Sequence, residues 1–332
     1  MALLKSVLFF LYLVLSLVSA LPPKHAMPHG ICTERVQRKA WQTLTYSQKK
    51  AYIDADLCLM KSPPKLDVRG AQNIWDELQY VHILQSNVVH FTGSFLPWHR
   101  LFMHAHDYLQ RTECNYTGPQ PYWDEILDMG ALNESIVFDP NTGFGGNGAG
   151  NDLCVADGPF VNLTLHLTQF SNDANYCLSR NFNQTAFQDG NKSNLDACFS
   201  KATYSDAWPC WSTSPHGAAH LGVNGVMYDA VGSPGDPIFY LHHTYLDHLW
   251  WQWQQQDLPA RLFQMSGRNV PTPEQLAMAN WTFPSAAILN YDGDPANETT
   301  LHHNLWMVGL IPNATVGDVM DLGGNLICVE EA

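Results

Sequence analysis

Two trios of histidines constrain this chain more than any other feature. His82, His90 and His99 lie within residues 81–102; His216, His220 and His243 lie within residues 215–250. A lone histidine on an apolar helix face is usually a satisfied core residue. Here three of the six share apolar helix faces that must be buried, and burying such rings without partners costs several kcal/mol. Coordination removes that cost. The chain must therefore bring together segments more than a hundred residues apart, and two trios imply two ions. Neutral imidazole suits Cu, Zn, Fe and Ni. No carboxylate or cysteine holds a ligand-like position in either trio, which points toward copper and oxygen chemistry. Ligand type alone does not choose the metal.

The local pattern places these residues on helices. Ser47 followed by Gln48–Lys61 reads as a capped helix. In residues 73–86, Ile74, Leu78 and Val81 recur at helical spacing, with His82 on the same stripe. Pro97 suits the first position of the next helix, where a missing N–H costs nothing. Pro215 and Gly222 fit the start and stop of a short helix, on which His216 and His220 are one turn apart and face one ion. From Pro237 onward, Phe239, His243, Leu246, Asp247 and Trp250 share a face. Successive helical residues point about 100° apart, so only one of His242 and His243 can face that ion, and His243 aligns better. His104, His106, His242 and His248 read as core or supporting residues, while His25, His29, His166, His302 and His303 have no supporting context. The expectation is a mainly α fold with long loops and few short strands, its metal pair held in the core of a four-helix bundle.

The 332 residues, 45% hydrophobic, suffice for one large core or two modest ones; with no repeat in view, residues 21–332 read as a single domain. A net charge of −14 argues against nucleic acid and anionic membranes as partners. Residues 1–20 read as a cleaved secretory signal: Lys5, a short apolar run, then Val18-Ser19-Ala20. Export then makes the eight cysteines, from Cys32 to Cys328, up to four disulfides of unspecified pairing. No Cys-x-x-Cys pair favours a thiolate site. Eight N-x-S/T sequons, at Asn115, Asn133, Asn162, Asn183, Asn191, Asn280, Asn297 and Asn313, are compatible with an extracellular, sugar-bearing surface. The glycine-rich stretch 138–154 lacks the Gly-Lys-Ser/Thr ending of a phosphate loop; it reads equally as a wall of the site or as plain connection.

At Phe95-Leu96-Pro97-Trp98-His99-Arg100, and again at Asp236-Pro237-Ile238-Phe239-Tyr240-Leu241-His242-His243 with Asp247 and Trp250, the chain resembles the type-3 copper family of tyrosinases, catechol oxidases and hemocyanins. Pro121-Tyr122-Trp123-Asp124 also resembles a family segment, and the likeness spans most of residues 30–330. It is nearest to short secreted fungal polyphenol oxidases. The resemblance implies that His82, His90 and His99 hold copper A and that His216, His220 and His243 hold copper B. It implies two copper ions that pass electrons from an o-diphenol to dioxygen, giving an o-quinone and water. Asp247 would pair with Arg100, either supporting the site or simply bridging helices. Phe239 would pack near the copper A imidazoles or serve as a core aromatic. No catalytic residue beyond the copper ligands is singled out.

Departures from the family pattern sharpen the expectation. Val88 stands where many members carry the cysteine of a thioether crosslink, and Ser86 stands at the alternative position used in plant members. Gly217 replaces an asparagine that in tyrosinases helps hold a water able to take the phenol proton, and Leu221 would line the mouth with apolar surface. Ala230, near the family's gate position, carries no bulky plug over copper A. These features favour oxidation of diphenols, with methoxyphenols as a further substrate class, over monophenol hydroxylation. The residues after His243 look needed for the core, with Cys328 anchoring the tail, so no separable C-terminal lid is expected. A tailoring oxidase with one dedicated metabolite would share this site; an oxygen carrier or a zinc hydrolase fits less well. Oligomeric state is not legible.

Overall fold

The computed structural model describes residues 32–285, 288–289 and 297–332. The signal read at residues 1–20, and His25 and His29, lie outside them. Nine α-helices are described: α1 (Tyr46–Leu59), α2 (Ile74–Val89), α3 (Phe95–Cys114), α4 (Gln184–Phe187), α5 (Lys192–Phe199), α6 (Tyr204–Val223), α7 (Ile238–Gln255), α8 (Pro273–Met278) and α9 (Val316–Val319). The described strands are short, and the fold is mainly helical as expected. α3 packs against α2, α6 and α7, and α6 packs against α7, which makes the four-helix core. α7 is buried on nearly every face from Ile238 to Leu249, the signature of a helix at the centre of a large core rather than at its surface.

Helix starts follow cap chemistry rather than the first favourable residue. α1 begins at Tyr46, two residues before Gln48, because Thr45 and Gln48 form a reciprocal capping box, so Thr45, not Ser47, is the cap. Asn73 caps α2 by accepting from the Asp76 amide, and Asp76 and Glu77 favour the positive end of that helix. Pro97 is the third residue of α3, not the first; the whole first turn lacks intrahelical N–H partners, so proline fits there equally well. Asn115, in the left-handed conformation, closes α3.

The largest correction concerns α6. It does not start at Pro215 and stop at Gly222; it runs from Tyr204 to Val223 with Pro209 and Pro215 inside. Side chains take up carbonyls in this proline-interrupted stretch: Ser212 and Thr213 hydroxyls both donate to the Pro209 carbonyl, at 3.1 and 2.6 Å. Packing against α4, α5 and α7 supports the segment, and Cys198–Cys210 ties its first half to α5.

The eight cysteines pair as Cys32–Cys328, Cys58–Cys114, Cys154–Cys177 and Cys198–Cys210. The first of these fastens the tail beside a small parallel sheet of Val36–Ala40, Gln120–Tyr122 and Val329–Glu331, with the first strand central. From that strand Arg38, fully buried, reaches Asp247 of α7 at 2.9 Å. Arg100 of α3 donates to the same carboxylate at 2.5 Å. Farther back, Arg180 makes a two-pronged ion pair with Asp236, whose Oδ1 also accepts from the Ile238 amide at the start of α7. Two buried Arg–Asp clamps thus fix α7 along its length, and removing one partner of such a pair costs about 3–5 kcal/mol.

Candidate metal centre

α2 carries His82 and ends at His90; α3 carries His99 in its second turn; α6 carries His216 and His220; α7 carries His243. Folding gathers the first three into one group and the last three, with His242, into a second, the ligand atoms in each lying within 4.8 Å of one another. The groups adjoin, the His99 and His243 rings stacking at 4.4 Å.

Main-chain carbonyls orient five of the six rings. Nδ1 of His90 donates to Ser86 O at 2.9 Å, that of His99 to Phe95 O at 2.8 Å and that of His216 to Ser212 O at 3.1 Å. In each case the acceptor is the carbonyl one turn back. Nδ1 of His82 donates to Val231 O at 2.8 Å and that of His220 to Met227 O at 2.6 Å. A carbonyl can only accept, so the proton sits on Nδ1 and the Nε2 lone pair is left for a ligand role. The Nε2 atoms of His82, His99 and His216 are buried without any hydrogen-bond partner, a state that costs about 1–3 kcal/mol per atom unless something binds there. Nε2 of His220 and Nε2 of His243 are 3.3 Å apart. Imidazole nitrogens held about 2.0–2.1 Å from one tetrahedral ion stand about 3.3 Å apart. The donor set therefore fits a metal in each trio. Burial, aided by neighbouring imidazoles, lowers the pKa of all six rings, to about 4 for His90 and about 3 for His220, which keeps them neutral and ligand-competent.

Two phenylalanines pack against both trios. Phe239 is fully buried, 4.1 Å from the His243 ring and 5.3 Å from the His82 ring; it touches both sides and lies nearer the second. Phe95, one turn before His99, lies 4.7 Å from that ring and 4.8 Å from His216. Gly217 is half-buried, and a Cβ placed there would have nothing within 4 Å. Leu221 is 41% exposed. Ala230 is exposed beside Val231, whose carbonyl orients His82. The Arg100–Asp247 pair forms, but its other partners are Arg38, Gln254 and the Val319 and Met320 carbonyls. It touches none of the six rings through a hydrogen bond and acts as the interhelix clamp.

Sequence alone gave no role to Glu125 or Trp281 and read His242 as a core or supporting residue. His242 is buried, and its Nδ1 lies 2.6 Å from Glu125 Oε1. Burial, with Asp124 and Asp128 nearby, raises the Glu125 pKa well above the usual carboxyl range, and burial lowers that of His242 to about 3. The Nε2 of His242 is buried without a hydrogen-bond partner, and His242 stands among the second group of possible ligands. Its ring lies 5.7 Å from His216 and 4.9 Å from His220 and so backs the second trio. Glu125 directly follows the Pro121–Asp124 segment, and a buried acid there was the available signal. Three other histidines have carboxylate partners: His106 with Asp56, His248 with Glu331 and His166 with Asp76. Among the described residues no helix is long and apolar enough to cross a membrane.

Residues 72–256 match the family model described as the common central domain of tyrosinase. The tyrosinase-like protein phomQ1' of Diaporthe leptostromiformis is 30% identical over 329 aligned residues, covering 91% of this chain and 81% of that one. Tyrosinase ustQ of Aspergillus flavus is 30% identical over 315 residues, covering 90% and 79%. A solved polyphenol oxidase variant from Thermothelomyces thermophila shares the fold with a TM-score of 0.77 at 23% identity, over 90% of this chain and 89% of that one. With the matching domain laid over both histidine groups and the helices that carry them, the chain belongs to the tyrosinase family and is a copper oxidoreductase.

Proposed function

We propose that His82, His90 and His99 hold one copper and His216, His220 and His243 the other, and that the pair oxidises o-diphenols to o-quinones outside the cell. The observation that carries this is the set of buried Nε2 atoms, aimed inward by carbonyls behind them. When bound, the coppers supply a route for electrons from two diphenols to one O2, yielding two quinones and two waters. The chain's own residues do the rest. Backbone carbonyls hold Nδ1 of five rings, all but His243, and so keep those five in one tautomer and one direction. Phe95 and Phe239 fill the floor and exclude water there. Gly217 and Leu221 leave an open, apolar approach on the His216 side.

That open approach supports turnover of small phenols over reversible oxygen carriage, which needs a shielded site. Gly217 offers no side chain to fix a proton-accepting water, which favours diphenols over monophenols. Four disulfides and the apolar leader at residues 1–20 support export. The test is oxygen uptake by copper-loaded protein with 4-methylcatechol, tyrosol and guaiacol, alongside metal analysis. The expected result is two coppers per chain and fastest uptake with 4-methylcatechol. An oxygen-dependent absorption band without quinone formation would instead mark a carrier, and absence of bound copper would remove the assignment altogether.

A further inference from the structure

We infer that Trp281 is a specificity-determining wall on the copper A side of the mouth, taking the place of the plug that Ala230 does not supply. The inference rests on the copper assignment above. Depth varies within each trio: His82 is fully buried and His99 and His243 nearly so, whereas His90 is 7% and His220 9% exposed, and His216 is half-buried. The mouth therefore opens where His90 and His216 stack, 6.1 Å apart. On the His216 side stand Gly217, with free space before it, and the exposed Leu221. On the His90 side stands Trp281, half-buried, its ring 5.7 Å from His90 and 5.8 Å from Phe91.

Trp281 is held in that position from two directions. Its amide donates to Leu276 O at 2.8 Å, which folds the chain back under α8. The next residue, Thr282, accepts through its carbonyl from the Asn87 side chain of α2 at 3.1 Å. The partner surface is equally fixed, for Phe91 turns the chain out of α2 at φ +57°, in the left-handed region that non-glycine residues rarely enter. An indole fixed against one ligand ring and partly open to solvent presents an aromatic surface to any flat ring approaching the coppers. A phenol or aromatic acid slides along it. Bulk next to the hydroxyls meets it.

Two variants test this in the copper-loaded protein: Trp281→Ala, which removes the wall, and Trp281→Phe, which keeps an aromatic surface. Metal analysis first establishes that both retain full copper, since Trp281 holds no metal. For Trp281→Ala we expect KM for 4-methylcatechol to rise about three- to tenfold, the range of one aromatic contact, with kcat within about twofold. We also expect turnover of 3-tert-butylcatechol to rise relative to 4-methylcatechol. Benzoate, which is not oxidised, provides a readout without turnover: its Kd by calorimetry should weaken in parallel, and Trp281→Phe should recover most of both losses. Benzoate affinity and KM unchanged in a fully copper-loaded Trp281→Ala would overturn the inference. Should wild-type protein fail to oxidise any catechol while benzoate binding still depends on Trp281, the wall stands and the diphenol oxidase reading falls. Should Trp281→Ala not fold, the Trp281→Phe and Trp281→Leu pair decides in the same way, aromatic retention against loss.

Discussion

The two histidine trios, each proposed to hold one copper, are built on different scaffolds. The first lies on α2 and α3, and all three of its Nδ1 atoms are bonded to carbonyls. The second lies on a helix with two internal prolines and on α7, and only two of its three are so held, Nδ1 of His243 being buried without a partner. The second also includes the more open rings and is backed by a fourth histidine. The difference teaches that the first site is set by the main chain throughout, while the second relies on packing for His243: on Phe239, on the stacked His99 and on the neighbouring His242 held by Glu125. A ring directed by a carbonyl one turn back is as rigid as its helix. A ring directed by neighbours is as rigid as their packing.

The strongest way to break this comparison is to remove one ligand from each trio. His99→Ala and His243→Ala should each lose one copper and reduce oxygen uptake far beyond the about 10–100-fold cost of changing supporting residues. If either variant kept wild-type uptake, the two-site reading would fail. A smaller and graded effect is expected in acid. In the metal-free protein the rings are neutral when folded, with pKa values depressed to about 4 for His90 and about 3 for His220. The unfolded chain binds those protons near pH 6.5, so it holds more protons in this window and stability falls as pH falls below 6.5. Chemical denaturation between pH 7 and 4 measures the slope; copper-loaded protein should resist until protons displace the metal. A flat profile in the metal-free protein would show that the rings are not buried together.

The comparison is sharpened by Glu125→Leu. It removes the partner of His242 and should weaken one copper by about tenfold while the other stays bound, seen as two-phase loss of copper to a chelator; equal loss from both sites would deny the packing account of the second trio. Smallest in effect is Gly217→Asn. The space before Gly217 admits the amide, so the protein should fold normally and shift the ratio of monophenol to diphenol rates upward by about two- to tenfold, within the usual range for a positioned proton-accepting group. An unchanged ratio would remove the proton-water argument.

Much of this site was legible because coordination chemistry leaves marks that do not depend on the fold. Histidines at one-turn spacing, or set in apolar helical stripes, announce burial of groups that need a partner. Helix limits were less legible. Thr45 replaced Ser47 because capping is reciprocal between residues three apart, and α6 ran through Pro209 and Pro215 because side-chain hydroxyls and tertiary packing offset what proline removes locally. Trp281 and Glu125 were missed for another reason: each acts on a histidine more than a hundred residues off, and only the Pro121–Asp124 segment beside Glu125 hinted at either.

The sequence by itself determined the two imidazole trios, the helical character of their supports and the family, since each follows from residue identity and short-range spacing. Only the tertiary structure decided which carbonyl orients which ring, that His242 is held by Glu125 while His243 meets His220, and which aromatic stands over the His90 side of the mouth. Those are contacts between distant segments, and their energies exist only once the core has closed.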